Sequence, residues 1–141
     1  CLQKSMDSLA NLKSCNALIY ALAARQAKEN KWNDALILNT QGHIIESTIA
    51  NIFWIKDQQI STPPLSEGCV AGVMRHRLLE LLPQVGHTVT EQPLTKELLM
   101  QADELFLTNA IRRLKWVKQL ENKSFTNAAI RSISKKISGL L

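Results

Sequence analysis

Between residues 35 and 62 the chain alternates short apolar runs with short polar turns, and no other feature constrains the fold as tightly. Ala35-Leu36-Ile37-Leu38-Asn39 and His43-Ile44-Ile45 flank Gln41-Gly42, which predicts a β-hairpin. Asn51-Ile52-Phe53-Trp54-Ile55 and Gln59-Ile60-Ser61-Thr62 flank Lys56-Asp57-Gln58, which predicts a second. Pro63-Pro64 ends it, because proline has no N–H to give to a ladder. Helical spacing surrounds these hairpins. Asn16 to Asn30 is rich in Ala, Leu, Gln, Lys and Glu, and Val73 to Leu82 repeats its apolar positions at three and four residues, a helix expected to stop at Pro83. Further strands are expected at His87–Glu91, Glu104–Thr108 and Lys115–Leu120, and helices at Leu98–Ala102 and Asn127–Ile137. With no repeat and no linker, the reading is one mixed α/β domain over residues 1–141.

Composition narrows the class. A chain of 141 residues with 45% hydrophobic and 21% charged residues builds a core and is neither disordered nor fibrous. No apolar run reaches the roughly 18 residues that span a bilayer, and no signal peptide opens the sequence. Cys1, Cys15 and Cys69 are an odd set without metal-ligand spacing, which points to reduced thiols in a cytoplasmic protein and to no metal. The net charge of +5 is concentrated: Ile111 to Lys136 holds eight basic residues against Glu121 alone. Such a surplus raises the question of nucleic acid, but Trp116 and Phe125 are its only aromatics and no binding motif accompanies them.

Three stretches join polar groups to tight strand-to-loop geometry. Lys13 precedes a helix among apolar and small neighbours; a lysine turns nucleophilic only where burial or a nearby cation lowers its pKa, and most lysines are exposed. Glu46 ends one apolar strand, ahead of Ser47-Thr48 and a new strand at Asn51; strand alternation would turn it inward, where a carboxylate needs a cation or N–H partner. Gly68-Cys69-Val70-Ala71-Gly72 leads into Val73-Met74-Arg75, a glycine-rich helix start whose N–H groups suit a phosphate, and Thr108-Asn109 closes a strand with a hydroxyl and an amide for the same anion.

Taken singly these are an exposed lysine, a turn glutamate and an ordinary helix start. In order, they resemble something specific. Lys-Ser-x-Asn, Glu-Ser-Thr-x-Ala-Asn-x-Phe, Pro-Pro-Leu-x-x-Gly-x-x-Gly-x-x-Arg and Ala-Asp-Glu-x-Phe-Leu-Thr-Asn-Ala resemble the motifs of the fold-type IV, or class IV aminotransferase, pyridoxal-phosphate enzymes, from about Leu9 to Val117. The resemblance implies the C-terminal large domain of the D-amino acid aminotransferase-like fold, a mixed-sheet pseudo-barrel with flanking helices. It implies pyridoxal 5'-phosphate as cofactor, joined at Lys13, whose amine would then move the proton at the carbon bearing the substrate nitrogen. Glu46 would pair with the pyridine nitrogen, the Val73 and Met74 amides after Gly72 would hold the phosphate, and Thr108 and Asn109 would close over it. Ser47, Thr48 and Asn51 would line the cofactor, and Asn16 would brace the lysine.

Met74 before Arg75, and Asn109-Ala110 in the loop, resemble the aminodeoxychorismate lyases more than the aminotransferases of this family. A lyase of this kind turns 4-amino-4-deoxychorismate into 4-aminobenzoate, a folate precursor, and pyruvate. Arg112, with Arg113 beside it, would then face the substrate carboxylates, or be surface charge; the amine substrate would also meet Asn109. The alternative within the family is an aminotransferase for branched-chain or D-amino acids. The resemblance also implies a homodimer and a smaller N-terminal domain that this sequence lacks. On that expectation the chain, opening at Cys1, is half of a longer enzyme, with neither nucleic acid nor membrane as partner. A rival of another class is an inactive basic module that binds or dimerises, against which Lys13 and Glu46 both argue.

Overall fold

A computed structural model describes residues 3–15 and 17–140. An eight-stranded mixed sheet with four helices is the result among these residues; the apolar runs predicted the four helices and most of the strands, but not the one at Gln3–Lys4. β1 (Gln3–Lys4) lies parallel to β2 (Leu36–Asn39), which turns back antiparallel into β3 (Ile44–Ser47). β4 (Asn51–Lys56) is the hub. Along one edge it pairs with β3 through Glu46 and Asn51 and with β5 (Gln59–Thr62) further on; along the other it pairs with β7 (Glu104–Asn109) from Asn51 to Ile55. β6 (Val89–Glu91) adds to β5 in parallel, and β8 (Arg113–Trp116) adds to β7.

Alternation along β4 and β7 divides the core. Phe53, Ile55 and Phe106 face α2 (Val73–Gln84) and α4 (Ala128–Ile137), packing on Leu78, Leu81, Leu82, Ile130 and Ile133, with the Phe53 and Phe106 rings stacked 5.1 Å apart. Ile52, Trp54, Leu105 and Leu107 face the other way, onto Leu94 and onto Leu99 of α3 (Lys96–Gln101). A third, smaller cluster joins Ile37, Ile45 and Cys69 to Ile19, Tyr20 and Ala23 of α1 (Leu18–Glu29).

Three expectations need correction. Pro83 does not stop α2 but sits inside its last turn, and the helix runs on to Gln84; so near a C-terminus the missing N–H removes a single ladder bond. The strand expected over Lys115–Leu120 is broken into the end of β8 and β9 (Gln119–Leu120), which pairs with β10 (Lys123–Ser124). The alternation that would turn Glu46 inward is not regular either. Ile37 pairs with Glu46 but Leu38 with Ile44, so Ile45 is the extra residue of a β-bulge. Ile44 therefore packs with Leu94, while Ile45 and Glu46 share the opposite face.

α4 starts without a cap from Asn127. Its first turn is served instead by Glu104 of β7, a buried carboxylate that accepts from Ala129 N–H at 2.9 Å and Ile130 N–H at 2.8 Å. That contact fixes α4 over Phe106, and so the helix face against which α2 must pack.

Candidate functional site

Cross-strand partners in an antiparallel ladder project to the same face. The pairs Glu46–Asn51 and Asn51–Thr108 thus form one polar row across β3, β4 and β7, at the end of the face that α2 and α4 cover elsewhere. All three side chains are buried.

The segment 65–72 runs over this row. It is fixed by Asn39, whose side chain donates to the Glu67 carboxylate at 2.7 Å, and by Asn11, which donates to the carbonyls of Leu65 (2.8 Å) and Cys69 (2.7 Å). Gly68 is left-handed (φ 90°), and a Cβ there would lie 2.9 Å from the Ser5 carbonyl, so glycine serves both the turn and the close approach. Val70 then gives its N–H to Glu46 Oε2 (3.0 Å), and its carbonyl accepts from Asn51 Nδ2 (2.8 Å). Gly72 lies directly on Asn51: a Cβ would fall 2.1 Å from Oδ1. Lacking a side chain, Gly72 cannot cap α2, and the first-turn amides at Val73 and Met74 point out of the helix start uncapped. On β7, across from Asn51, the buried Thr108 Oγ1 finds no hydrogen-bond partner among the described residues.

Glu46 is the most heavily bonded carboxylate of the site. Besides Val70 N–H, it accepts on Oε1 from Lys4 Nζ at 2.8 Å and from the Tyr20 hydroxyl at 2.6 Å. The Lys4 ammonium also lies 5.3 Å from the Tyr20 ring centre. Burial, and then the neighbouring carboxylate, pushes the Tyr20 phenol well above its ordinary value, so it stays a donor. Burial likewise pushes the Cys69 thiol up to about 11. Neither Lys4 nor Tyr20 was singled out from the sequence. Lys4 belongs to a two-residue strand with no periodicity to detect, and Tyr20 reads as one more apolar position of α1.

The structure gathers some of the expected residues and separates others. Glu46, Asn51, Gly72, Val73, Met74 and Thr108 come together as described. Lys13 is exposed in the loop between β1 and α1 and makes neither hydrogen bond nor ion pair among the described residues. It stands two residues beyond Asn11, whose carbonyl accepts the Ala71 N–H at 2.9 Å, so its loop is pinned to the segment leading into α2. Asn16 and Cys1 lie outside the described residues. Ser47 and Thr48 do not join the row: Ser47 Oγ accepts from Ile49 N–H, and the Thr48 hydroxyl donates to Asp34. Asn109, one residue past Thr108, turns to the opposite face. Its amide donates to the Ile49 carbonyl, and its oxygen accepts from the N–H groups of Ile111 and Arg112. It does meet Arg112, in a small cleft of about 100 Å³ also lined by Asp34 and Lys115. Arg113 is exposed, and the basic residues of the C-terminal segment fall on several elements and turns up to α4.

One bulged mixed sheet thus carries a buried carboxylate, a glycine-led helix start and a buried hydroxyl with no partner among the described residues. Comparison with known proteins gives the family. Residues 2–120 match the family model for amino-transferase class IV, and the chain belongs to that family. It is 40% identical over 103 residues to the aminodeoxychorismate lyase of Vibrio harveyi, covering 73% of this chain and 38% of that one. The structure of a Legionella pneumophila protein, provisionally assigned as a 4-amino-4-deoxychorismate lyase, superimposes with a TM-score of 0.92 at 32% identity, covering 99% of this chain and 53% of the other. The branched-chain amino acid aminotransferase of Escherichia coli follows at a TM-score of 0.82 and 26% identity, over 89% and 44%. The chain therefore spans between about two fifths and one half of the length of these relatives. The family is one of pyridoxal-phosphate-dependent enzymes.

Proposed function

We propose that this chain is the cofactor-holding domain of a pyridoxal-phosphate enzyme, and that the whole protein is a lyase converting 4-amino-4-deoxychorismate to 4-aminobenzoate and pyruvate. The observation that carries the cofactor reading is the buried row Glu46–Asn51–Thr108 with the uncapped start of α2 brought onto Asn51 by Gly72, the Thr108 hydroxyl having no partner among the described residues. The Val73 and Met74 amides and Thr108 Oγ1 would hold the phosphate, and Glu46 the ring nitrogen. Asn51 would keep the Gly68–Gly72 segment in place through Val70. When bound, the cofactor supplies an electron sink for the bond-breaking at the carbon that carries the substrate nitrogen.

The proton work falls to Lys13. In the lyase reaction its amine takes the proton from the ring carbon bearing the nitrogen. The bond from the ring to the enolpyruvyl oxygen breaks, and a proton is returned to the methylene carbon as pyruvate forms, so no water is consumed. Lys4 is unsuited to this work, because its ammonium is held in a buried ion pair with Glu46. The lyase reading is supported by the 40% identity to the Vibrio harveyi enzyme, and the aminotransferase reading by lower identity, over more of the chain, to branched-chain aminotransferases. The surroundings of the substrate, the second protomer of a homodimer and the further domain all belong to the same proposal.

The test uses the full-length protein loaded with pyridoxal phosphate. Borohydride followed by peptide mapping should place the cofactor on Lys13, and Lys13→Ala should lower turnover by at least about a hundredfold. Release of 4-aminobenzoate, measured against transamination of branched-chain and D-amino acids, decides between the two readings. A label on Lys4, or no label with the colour absent, overturns the assignment.

A further inference from the structure

An ionised carboxylate offers about four acceptor positions, two on each oxygen. Three of those on Glu46 are taken by groups of this chain: two on Oε1, by Lys4 Nζ and the Tyr20 hydroxyl, and one on Oε2, by Val70 N–H. Among the described residues one position remains, and it is on Oε2. The three donors come from β1, α1 and the segment over the row, so the orientation of the carboxylate is set from three directions at once. The other titratable groups nearby are the Cys69 thiol, kept protonated by burial, and Arg75, whose guanidinium is engaged by Glu91 and the Pro63 carbonyl. Lys4 is thus the cation that touches Glu46 directly.

We propose that Lys4 and Tyr20 are positioning residues for the cofactor ring: by filling both acceptor positions of Oε1 they turn the remaining one on Oε2 toward the ring nitrogen, and Lys4 sets how much negative charge that nitrogen meets. A carboxylate paired with an ammonium stabilises a ring N–H⁺ less than a lone carboxylate does, because the second cation opposes the first across the same group. Proton affinity at the ring nitrogen governs how strongly the ring draws electrons, so the pair acts on reactivity without touching substrate. This inference rests on the cofactor reading above.

The experiment loads the full-length protein with pyridoxal phosphate labelled at its ring nitrogen and follows that nitrogen by NMR against pH, alongside cofactor affinity. Lys4→Met should move the protonation midpoint up by about one pH unit or more, and Lys4→Arg, which keeps the charge, should stay within a few tenths. Tyr20→Phe, which removes a single oxygen, should loosen the cofactor several-fold and move the midpoint less, and it carries the test should Lys4→Met not fold. Wild-type titration and affinity in both Lys4→Met and Tyr20→Phe would overturn the proposal. So would a loss of stability with no change in the midpoint, since that is what a purely structural ion pair predicts. A wild-type protein that takes up no cofactor, or a Glu46→Gln variant that titrates like wild type, would instead bring down the cofactor reading itself.

Discussion

Gly72→Ala is the substitution whose cost the structure specifies most closely. The φ of Gly72 is −69°, which alanine adopts without strain, so the effect is one of space alone. The new Cβ would fall 2.1 Å from Asn51 Oδ1, far inside contact distance. Asn51 is buried and its amide donates to Val70, so it cannot swing aside freely. If it leaves, the Val70 carbonyl loses its donor, at a cost of about 1–3 kcal/mol. If instead the start of α2 moves, overpacking costs about the same, roughly 1–3 kcal/mol. Alanine recovers roughly 0.4–1 kcal/mol by stiffening the unfolded chain, which leaves a net loss of about 1–2 kcal/mol. Urea unfolding of the full-length apoprotein should show this loss, and cofactor affinity should fall with it. The decisive comparison is the double variant. With Asn51→Ala already in place the clash is gone, so adding Gly72→Ala should cost nothing or stabilise slightly. Additive losses in the double variant, or a Gly72→Ala protein as stable as wild type, would show that contact with Asn51 is not what excludes a side chain at Gly72.

Two further outcomes follow from groups away from the row. Glu104→Gln leaves one first-turn amide of α4 without an acceptor, and should lower stability by about 1–3 kcal/mol while speeding amide exchange at Ala129 or Ile130. His87 is held below its ordinary 6.5 by burial and then by Lys136, and its buried Nε2 has no partner among the described residues. The folded state thus binds that proton less readily than the unfolded one. Its contribution is complete above pH 6.5 and is lost as the pH falls through the lowered folded value, so stability should decline on acidification and His87→Phe should flatten that decline.

Much of the fold was legible because its signals are local. Turn residues and alternation locate β5 to the residue and β4 to within one, and the three-and-four spacing after Gly72 locates α2. Thr108 and Glu46 were legible as candidates because a polar group among apolar neighbours demands an explanation. Contacts made across the chain were not. The Lys4–Glu46 pair joins residues 42 apart through a strand too short to have a period, and Asn11 reaches Cys69 across 58 residues from a loop that local rules leave blank. Ser47, Thr48 and Asn109 are polar groups in the right stretch whose hydrogen bonds go to nearby turns, a distinction that residue type cannot make. Pro83 shows the converse error, a strong local signal overruled because it falls where the helix has little left to lose.

The bulge at Ile45 gives the site an unequal tolerance to changes in chain length. Deleting Ile45 would leave Leu38 opposite Ile44 and Ile37 opposite Glu46, so the carboxylate would keep its face and only an apolar side chain would be lost from the cluster against α1. Adding one residue to β2 opposite the bulge would instead restore strict alternation and turn Glu46 toward Leu94, away from Asn51. Two edits of equal size, a few ångströms apart, thus differ in whether the chain still has a site at all. In this sheet the parity of a strand is as much a functional determinant as the identity of any residue on it.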